Sequence, residues 1–285
     1  MKASITFDRL RWEEKALKDE ADSMGMEANL VDAKALLFDI SRGDGHSHQL
    51  GDVVVQRCIS HYRSLFLTRM LEGAGAAVIN RYEVADLCGN KLATTMALAK
   101  AGVPTPKTFV ALSSEMVEKA AEELGFPVVL KPFVGSWGRM VSVIRDKPTL
   151  QSIVELREEL PNPVEHMYYV QEYIQRPPRD IRAVVAGSDL VACVHRYAPE
   201  GDWRTNVARG GVSKAFTPGP ELREMILKAA VVVGGGVLGV DAMEGPKGHV
   251  VHEVNNTVEF KGAQSAVEWS IPKKIMGYIA STVKR

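Results

Sequence analysis

The sequence predicts an α/β protein built of α+β lobes, and three observations carry that prediction. Strand-like and helix-like stretches alternate over roughly the first 85 residues, a glycine- and proline-punctuated middle portion mixes the two, and strand patterns predominate from Met167 onward. The chain of 285 residues is long enough to bury a sizeable core, and 46% hydrophobic against 25% charged residues is a globular balance. Three units follow: a small N-terminal α/β unit over residues 1–88, a middle lobe over 89–165 and a C-terminal lobe over 166–285.

Ala3–Phe7 reads as a short strand, followed by a charged helix from Glu13 to about Met24 that Gly25 would end. Asp52–Gln56 and Ala77–Ile79 are apolar strand candidates, with a helix over Tyr62–Gly73 between them. In the middle lobe a helix from about Asn90 to Ala101 leads through the Gly102–Pro106 turn to a strand at Thr108–Ala111 and a helix at Glu115–Leu124. Gly125-Phe126-Pro127 stops that helix and opens the strand Val128–Lys131, which can form a hairpin with Ser142–Ile144. The last lobe holds strands at Tyr168–Ile174, Ile181–Ala186 and Leu190–Arg196. A helix from Glu221 to Val232 and strands at Gly239–Asp241 and Val250–Asn255 complete it.

Composition excludes several classes. Lys plus Arg and Asp plus Glu each total 35, so net charge gives no case for a nucleic-acid partner. Cys58, Cys88 and Cys193 are far apart and form no CxxC pair, which points to thiols in a reducing compartment rather than a disulfide framework or a zinc site. No stretch approaches the about 20 apolar residues of a membrane span, and no apolar signal core follows Met1, so a cytoplasmic protein is expected. His46 and His48 lie in a Gly/Ser/Asp loop, where an HxH pair is more often solvated than metal-bound.

Three groups of residues could carry chemistry. Lys131 ends an apolar strand ahead of Pro132, and the turn Gly135-Ser136-Trp137-Gly138-Arg139 lies a few residues on. Backbone N–H groups of a glycine-bearing turn, with a serine and an arginine, can hold phosphate oxygens. A plain hairpin tip is the alternative, and one turn can be both. The second group is stronger. Asp241 ends one apolar strand, while Glu253 and Asn255 lie two apart on the next, so their side chains share a face. Pairing through the Gly245–Gly248 turn can bring Asp241 alongside. Two carboxylates and an amide oxygen are hard donors suited to a Mg²⁺ that also holds phosphate. Buried without a cation, they would set like charges against each other. The third group, Arg182, Arg196, Asn206 and Arg209, falls on the same lobe and can bind phosphate or carboxylate oxygens.

In chain order, Lys91, Lys131-Pro132, Gly135–Arg139, Gln171–Ile174, Arg179–Arg182, Asn206–Gly211, Asp241 and Glu253–Asn255 together resemble the ATP-grasp superfamily, and within it the RimK-like group. Phe7–Arg9, Gln56–Cys58, Ser60, Gly135–Arg139, Thr205–Gly211 and Glu253–Lys261 narrow the resemblance to the LysX/ArgX ligases. Those enzymes attach an amino acid to an acidic amino-group carrier protein in lysine or arginine biosynthesis.

The resemblance implies an ATP-grasp fold behind a small preATP-grasp domain, with ATP and Mg²⁺ as cofactors. Lys91 and Lys131 would contact the phosphates of ATP, and Gly135, Ser136, Trp137, Gly138 and Arg139 would close over them. Gln171, Glu172, Tyr173 and Ile174 would form the linker against adenine, using backbone groups and Glu172. Asp241, Glu253 and Asn255 would hold Mg²⁺. Arg182, Arg196, Asn206 and Arg209 would line the phosphate and acyl-acceptor end, with Arg57, Ser60 and Arg63 helping to position substrate. The implied partners are a LysW-like acidic carrier and either 2-aminoadipate or glutamate, in a homodimer or homotetramer. Neither nucleic acid nor a membrane is expected.

Two departures bear on the narrower assignment. Asn90 stands before Lys91, where related ligases often have Asp. Asn256–Phe260 replaces the Pro-Gly-Phe-type ending that follows Glu-x-Asn in many RimK-like proteins, which turns the expectation from ribosomal-tail modification to a carrier protein. Asn256-Thr257 resembles the aminoadipate-specific members. The implied reaction phosphorylates the side chain of a C-terminal glutamate on the carrier, and the substrate's α-amine then attacks the acyl phosphate. Glutamate ligation to the same carrier and glutamylation of a protein tail are the alternatives. Gly234–Gly239 carries the GxGxxG spacing of dinucleotide sites, but it follows a predicted helix and leads into a strand, the reverse of the order such a site needs.

Overall fold

The computed structural model describes residues 1–41, 50–205 and 210–283, and its strands form three sheets. The first sheet holds β1 (Lys2–Phe7), β2 (Glu27–Asp32), β3 (Val53–Gln56) and β4 (Val78–Ile79) in the order β2-β1-β3-β4, all parallel. Helix α1 (Trp12–Ser23) joins β1 to β2, α2 (His61–Gly73) joins β3 to β4, and α3 (Tyr82–Gly89) follows β4. Both faces of β1 are buried from Ala3 to Thr6, as a parallel strand covered on each side should be. The end of α1 falls where glycine predicts it. Met26 N–H reaches back to Ala21 O at 3.0 Å while Gly25 takes a left-handed φ of 73°. β2 is unanticipated, because it is an edge strand with Glu27 and Asn29 exposed and carries no apolar run.

The second sheet is antiparallel, with β5 (Thr108–Ala111), β6 (Val128–Lys131), β7 (Ser142–Ile144) and β8 (Tyr168–Glu172) in the order β5-β8-β6-β7. It is entered through α4 (Lys91–Lys100) and covered by α5 (Ser114–Leu124) and α6 (Lys147–Glu158). Its core, including Val117, Leu130, Ile144, Leu150 and Tyr168, is separate from the others. β8 was expected at the head of the C-terminal lobe. Instead it returns after α6 to lie between β5 and β6, so this sheet extends past residue 165.

The third sheet runs β11-β10-β9-β12-β13, antiparallel throughout, from β9 (Arg179–Ala186), β10 (Asp189–Tyr197), β11 (Val212–Ala215), β12 (Val237–Gly245) and β13 (Gly248–Asn255). One face packs on α7 (Pro220–Val232) through Leu222, Ile226 and Ala229. The other shares a continuous core with the first sheet: Val184 and Val194 join Ala3, Ile5 and Leu17 through Phe260, Ile271, Ile275 and Ile279. Those last residues lie beside α8 (Lys261–Gln264) or in α9 (Ile271–Val283), which packs against α1.

The glycine run Gly234–Gly239 closes α7 and opens β12. A Cβ on Gly236 would fall 2.1 Å from Asn80 Oδ1, which accepts a hydrogen bond from Val237 N at 2.7 Å. The glycines therefore serve a helix end and a docking contact from the first sheet, not a dinucleotide. Among the described residues no helix is long and apolar enough to cross a membrane.

Candidate active site

Register assembles the charged centre. β9, β12 and β13 are neighbours, and Arg182 stands opposite Asp241, which stands opposite Glu253. Both oxygens of Asp241 accept from Arg182, with Nη2–Oδ2 at 2.7 Å, and Arg196 Nη2 lies 3.2 Å from the same Oδ2. Arg196 also forks onto Asp180, at 2.8 and 2.7 Å. Burial alone would raise the Asp241 carboxyl, but Arg182 and Arg196 hold it well below the usual range. Burial likewise opposes the charged form of Asp180, and Arg196 outweighs it. Asn255 turns its amide nitrogen toward Asp241 at 3.4 Å, which leaves its oxygen as a donor atom for a ligand.

Two lysines face this centre from the second sheet and its entry helix. Lys91 opens α4, where Asn90 accepts from Leu92 N and Ala93 N at 3.0 and 3.2 Å. An asparagine caps as well as an aspartate, which accounts for its place before the lysine. Lys91 Nζ donates to Gly135 O at 2.8 Å and lies 3.1 Å from Glu253 Oε1. Burial would push the Glu253 carboxyl up, but Lys91 keeps it low. Lys131 ends β6 fully buried, its Nζ donating to Gln171 Oε1 at 2.6 Å. Burial lowers its pKa to about 8.

Two adjoining cavities meet here. The smaller, about 90 Å³, is bordered by Lys131, Gln171–Ile174 and Asp241, and by Gly138 and Arg139 of the turn. The larger, about 480 Å³, takes in Arg182, Asn255 and the N-terminal residues Arg11, His61 and Ser64. Lys91, Gly135, Ser136, Trp137, Arg196 and Glu253 line both. The structure thus brings Lys131 and the Gly135–Arg139 turn, the Asp241, Glu253 and Asn255 group, and Arg182 and Arg196 of the third group to one place. Asn206 and Arg209 lie outside the described residues.

Several expectations are refined by geometry. The Gln171 side chain is buried between Lys131, Thr108 and Tyr169 and holds the lysine. Glu172 Oε1 is taken by Lys107 N at 2.6 Å. Arg57, expected near substrate, is buried against Glu14 and Val258 O, and Arg63 pairs with Asp8 at 2.8 Å. Arg11, His61 and Ser64 reach the cavity from that lobe instead. His252, which sequence reasoning passed over, lines the smaller cavity with a buried, unpartnered Nε2 and a pKa pushed down to about 4, chiefly by burial. It sits at the irregularity where Asp241 pairs Glu253 but Ala242 pairs Val251, a bulge that re-aims a side chain. Alternation along a strand gives no sign of that. Asp180 was legible beside Arg179 and Arg182, but its role as the second anchor of Arg196 needs the register.

A parallel-sheet lobe, a small antiparallel sheet and a larger one, closing on lysines and a carboxylate–arginine centre, define a nucleotide-dependent ligase class. Residues 3–87 match the LysX preATP-grasp domain and residues 88–279 the RimK-like ATP-grasp domain, and the chain belongs to the RimK-like ATP-grasp ligases. The glutamate–LysW ligase ArgX of Sulfolobus acidocaldarius is 35% identical over 100% of both chains. The alpha-aminoadipate–LysW ligase LysX of the same organism is 35% identical, covering 97% of this chain and 100% of that one. The crystal structure of a RimK-domain ATP-grasp protein from Sphaerobacter thermophilus superposes with a TM-score of 0.77 at 26% identity, covering 97% of this chain and 99% of the other.

Proposed function

We propose that this ligase joins the α-amino group of 2-aminoadipate to the side-chain carboxylate of a C-terminal glutamate on an acidic, LysW-like carrier, forming ADP and phosphate, in lysine biosynthesis. The observation that carries the reading is the shared wall between the cavities. ATP phosphates reaching that wall from the smaller one would face a carboxylate in the larger across Lys91, Arg196 and Glu253. Lys91 and Lys131 would bind the polyphosphate, and Lys131, with its pKa near 8, stays largely protonated at neutral pH. Arg196, fixed by Asp180 and Asp241, would meet the charge that develops as the phosphoryl group moves.

The donor set fits Mg²⁺: Asp241 and Glu253 offer carboxylate oxygens and Asn255 an amide oxygen, all hard ligands. Mg²⁺, when bound there, would offset charge on the transferring phosphate. Among the described residues no three His, Cys, Asp or Glu side chains form a metal-holding group by themselves. Cys58 and Cys88 border the larger cavity, but burial pushes both thiols up to about 12. A covalent cysteine route is thereby disfavoured, and the protein's part is alignment and charge stabilisation.

Glutamate is the second substrate reading, favoured by the similarity to ArgX; Asn256-Thr257 favours aminoadipate. Intact-mass measurement of the carrier after incubation with ATP, Mg²⁺ and each amino acid decides. One added aminoadipyl unit with matching ADP release is expected. A glutamyl gain alone would move the assignment to arginine biosynthesis, and no gain with either would overturn it.

A further inference from the structure

Glu259 and Arg11 have no role in the reaction as proposed, yet the structure ties them to the turn that separates the two cavities. Trp137 Nε1–H donates to Glu259, 3.2 Å from both carboxylate oxygens. Arg11 Nη1 donates to Glu259 Oε1 at 2.9 Å. Arg11 is itself fixed: its Nη2 donates to the buried Glu14 at 2.7 Å, and Glu14 also accepts from Arg57, which donates to Val258 O beside Glu259. The carboxylate that meets the indole is therefore held from the N-terminal lobe, while the indole belongs to a loop of the second sheet.

That loop needs holding. Trp137 and Met140 adopt φ of 58° and 56°, a left-handed conformation that bulky L residues keep only where their surroundings enforce it. Lys91 secures the loop at Gly135 O, and Arg139 stacks on Trp137 with its guanidinium carbon 5.0 Å from the ring centroid. Between these points Gly135, Ser136 and Trp137 line both cavities. We propose that Glu259, held by Arg11, is a positioning residue that latches Trp137 and so fixes the Gly135–Trp137 segment as the wall across which phosphoryl transfer occurs. What the wall separates rests on the function proposed above; that the latch holds the loop does not.

Arg139 is exposed and gives trypsin a site within the loop. In the free, full-length protein, Glu259→Ala and Trp137→Phe should each speed cleavage after Arg139 by several-fold. Glu259→Gln, which still accepts from the indole but loses the charge facing Arg11, should fall between. The Trp137→Phe/Glu259→Ala double variant should be no faster than the single ones, since both remove one contact. In turnover, Glu259→Ala should raise KM for ATP and lower kcat together, with partial rescue in Glu259→Gln. A Glu259 that merely supports the fold would lower Tm and the active fraction at unchanged KM, which would overturn the latch. So would wild-type cleavage rates in both single variants. A loosened loop in a chain that modifies no carrier would uphold the latch and sink only the substrate assignment.

Discussion

Lys131 is a buried cation at a cavity wall, and its depressed pKa would tie the proposed nucleotide binding to pH. As pH rises past about 8 the free enzyme loses that charge, so KM for ATP should climb in alkaline assays. Lys131→Arg, charged throughout, should flatten the climb. Stability runs the other way. Because the folded pKa lies below the ordinary 10.5, the unfolded chain binds the extra proton between about 8 and 10.5, and this group's contribution to stability grows as pH rises through that window. Glu253 makes a sharper test. Glu253→Gln keeps the shape but removes the charge opposite Lys91 and, with it, the anionic donor proposed for Mg²⁺, and should cut ADP release by about 10²-fold or more while leaving the circular-dichroism melt in place. Near-normal turnover would defeat its assignment to the metal. Gln171 should behave differently. Gln171→Leu strips Lys131 of its acceptor, a loss of about 1–3 kcal/mol for an unsatisfied buried group, readable as a lower midpoint in urea.

At the level of elements, α9 seals two sheets. Ile271, Ile275 and Ile279 recur every four residues and line the core shared by the first and third sheets. Ile275→Ala should cost about 2–5 kcal/mol, measured by denaturant unfolding, as a fully buried truncation does. Neither α9 nor α6 was among the expected elements, although that spacing, and the Asp146 cap that starts α6 by accepting from Thr149 N at 2.8 Å, lie in the sequence. The strands that carry the site were legible where an apolar run ends in a charged or polar residue, as at Lys131, Glu253 and Asn255, but Asp241, expected to end its strand, lies mid-strand because β12 runs on to Gly245. What stayed hidden was longer-range. The bulge that aims His252, the side-chain turn of Gln171, and the meeting of Arg11 with Glu259 across 248 positions all depend on pairings that no local pattern encodes.

Across the whole molecule, cores divide unevenly. The first and third sheets are joined through one apolar cluster, whereas the second sheet closes its own around Leu130, Ile144 and Tyr168. Native-state hydrogen exchange should therefore release the amides of β5–β8 at a lower opening free energy than those of β1 and β9, with ATP raising protection in β6 above all. Uniform opening of all three sheets would contradict that division.

The packing of α9 on α1 also has a consequence for birth of the protein on the ribosome. Ala3, Ile5 and Leu17 emerge well before Ile271, Ile275 and Ile279, which seal them and are translated some 250 residues later. At about 5–20 residues per second the opening βαβ segment waits more than ten seconds with its apolar face bare. This lobe is thus finished only once α9 has been made, and a nascent chain stalled before residue 271 should present a hydrophobic face to chaperones.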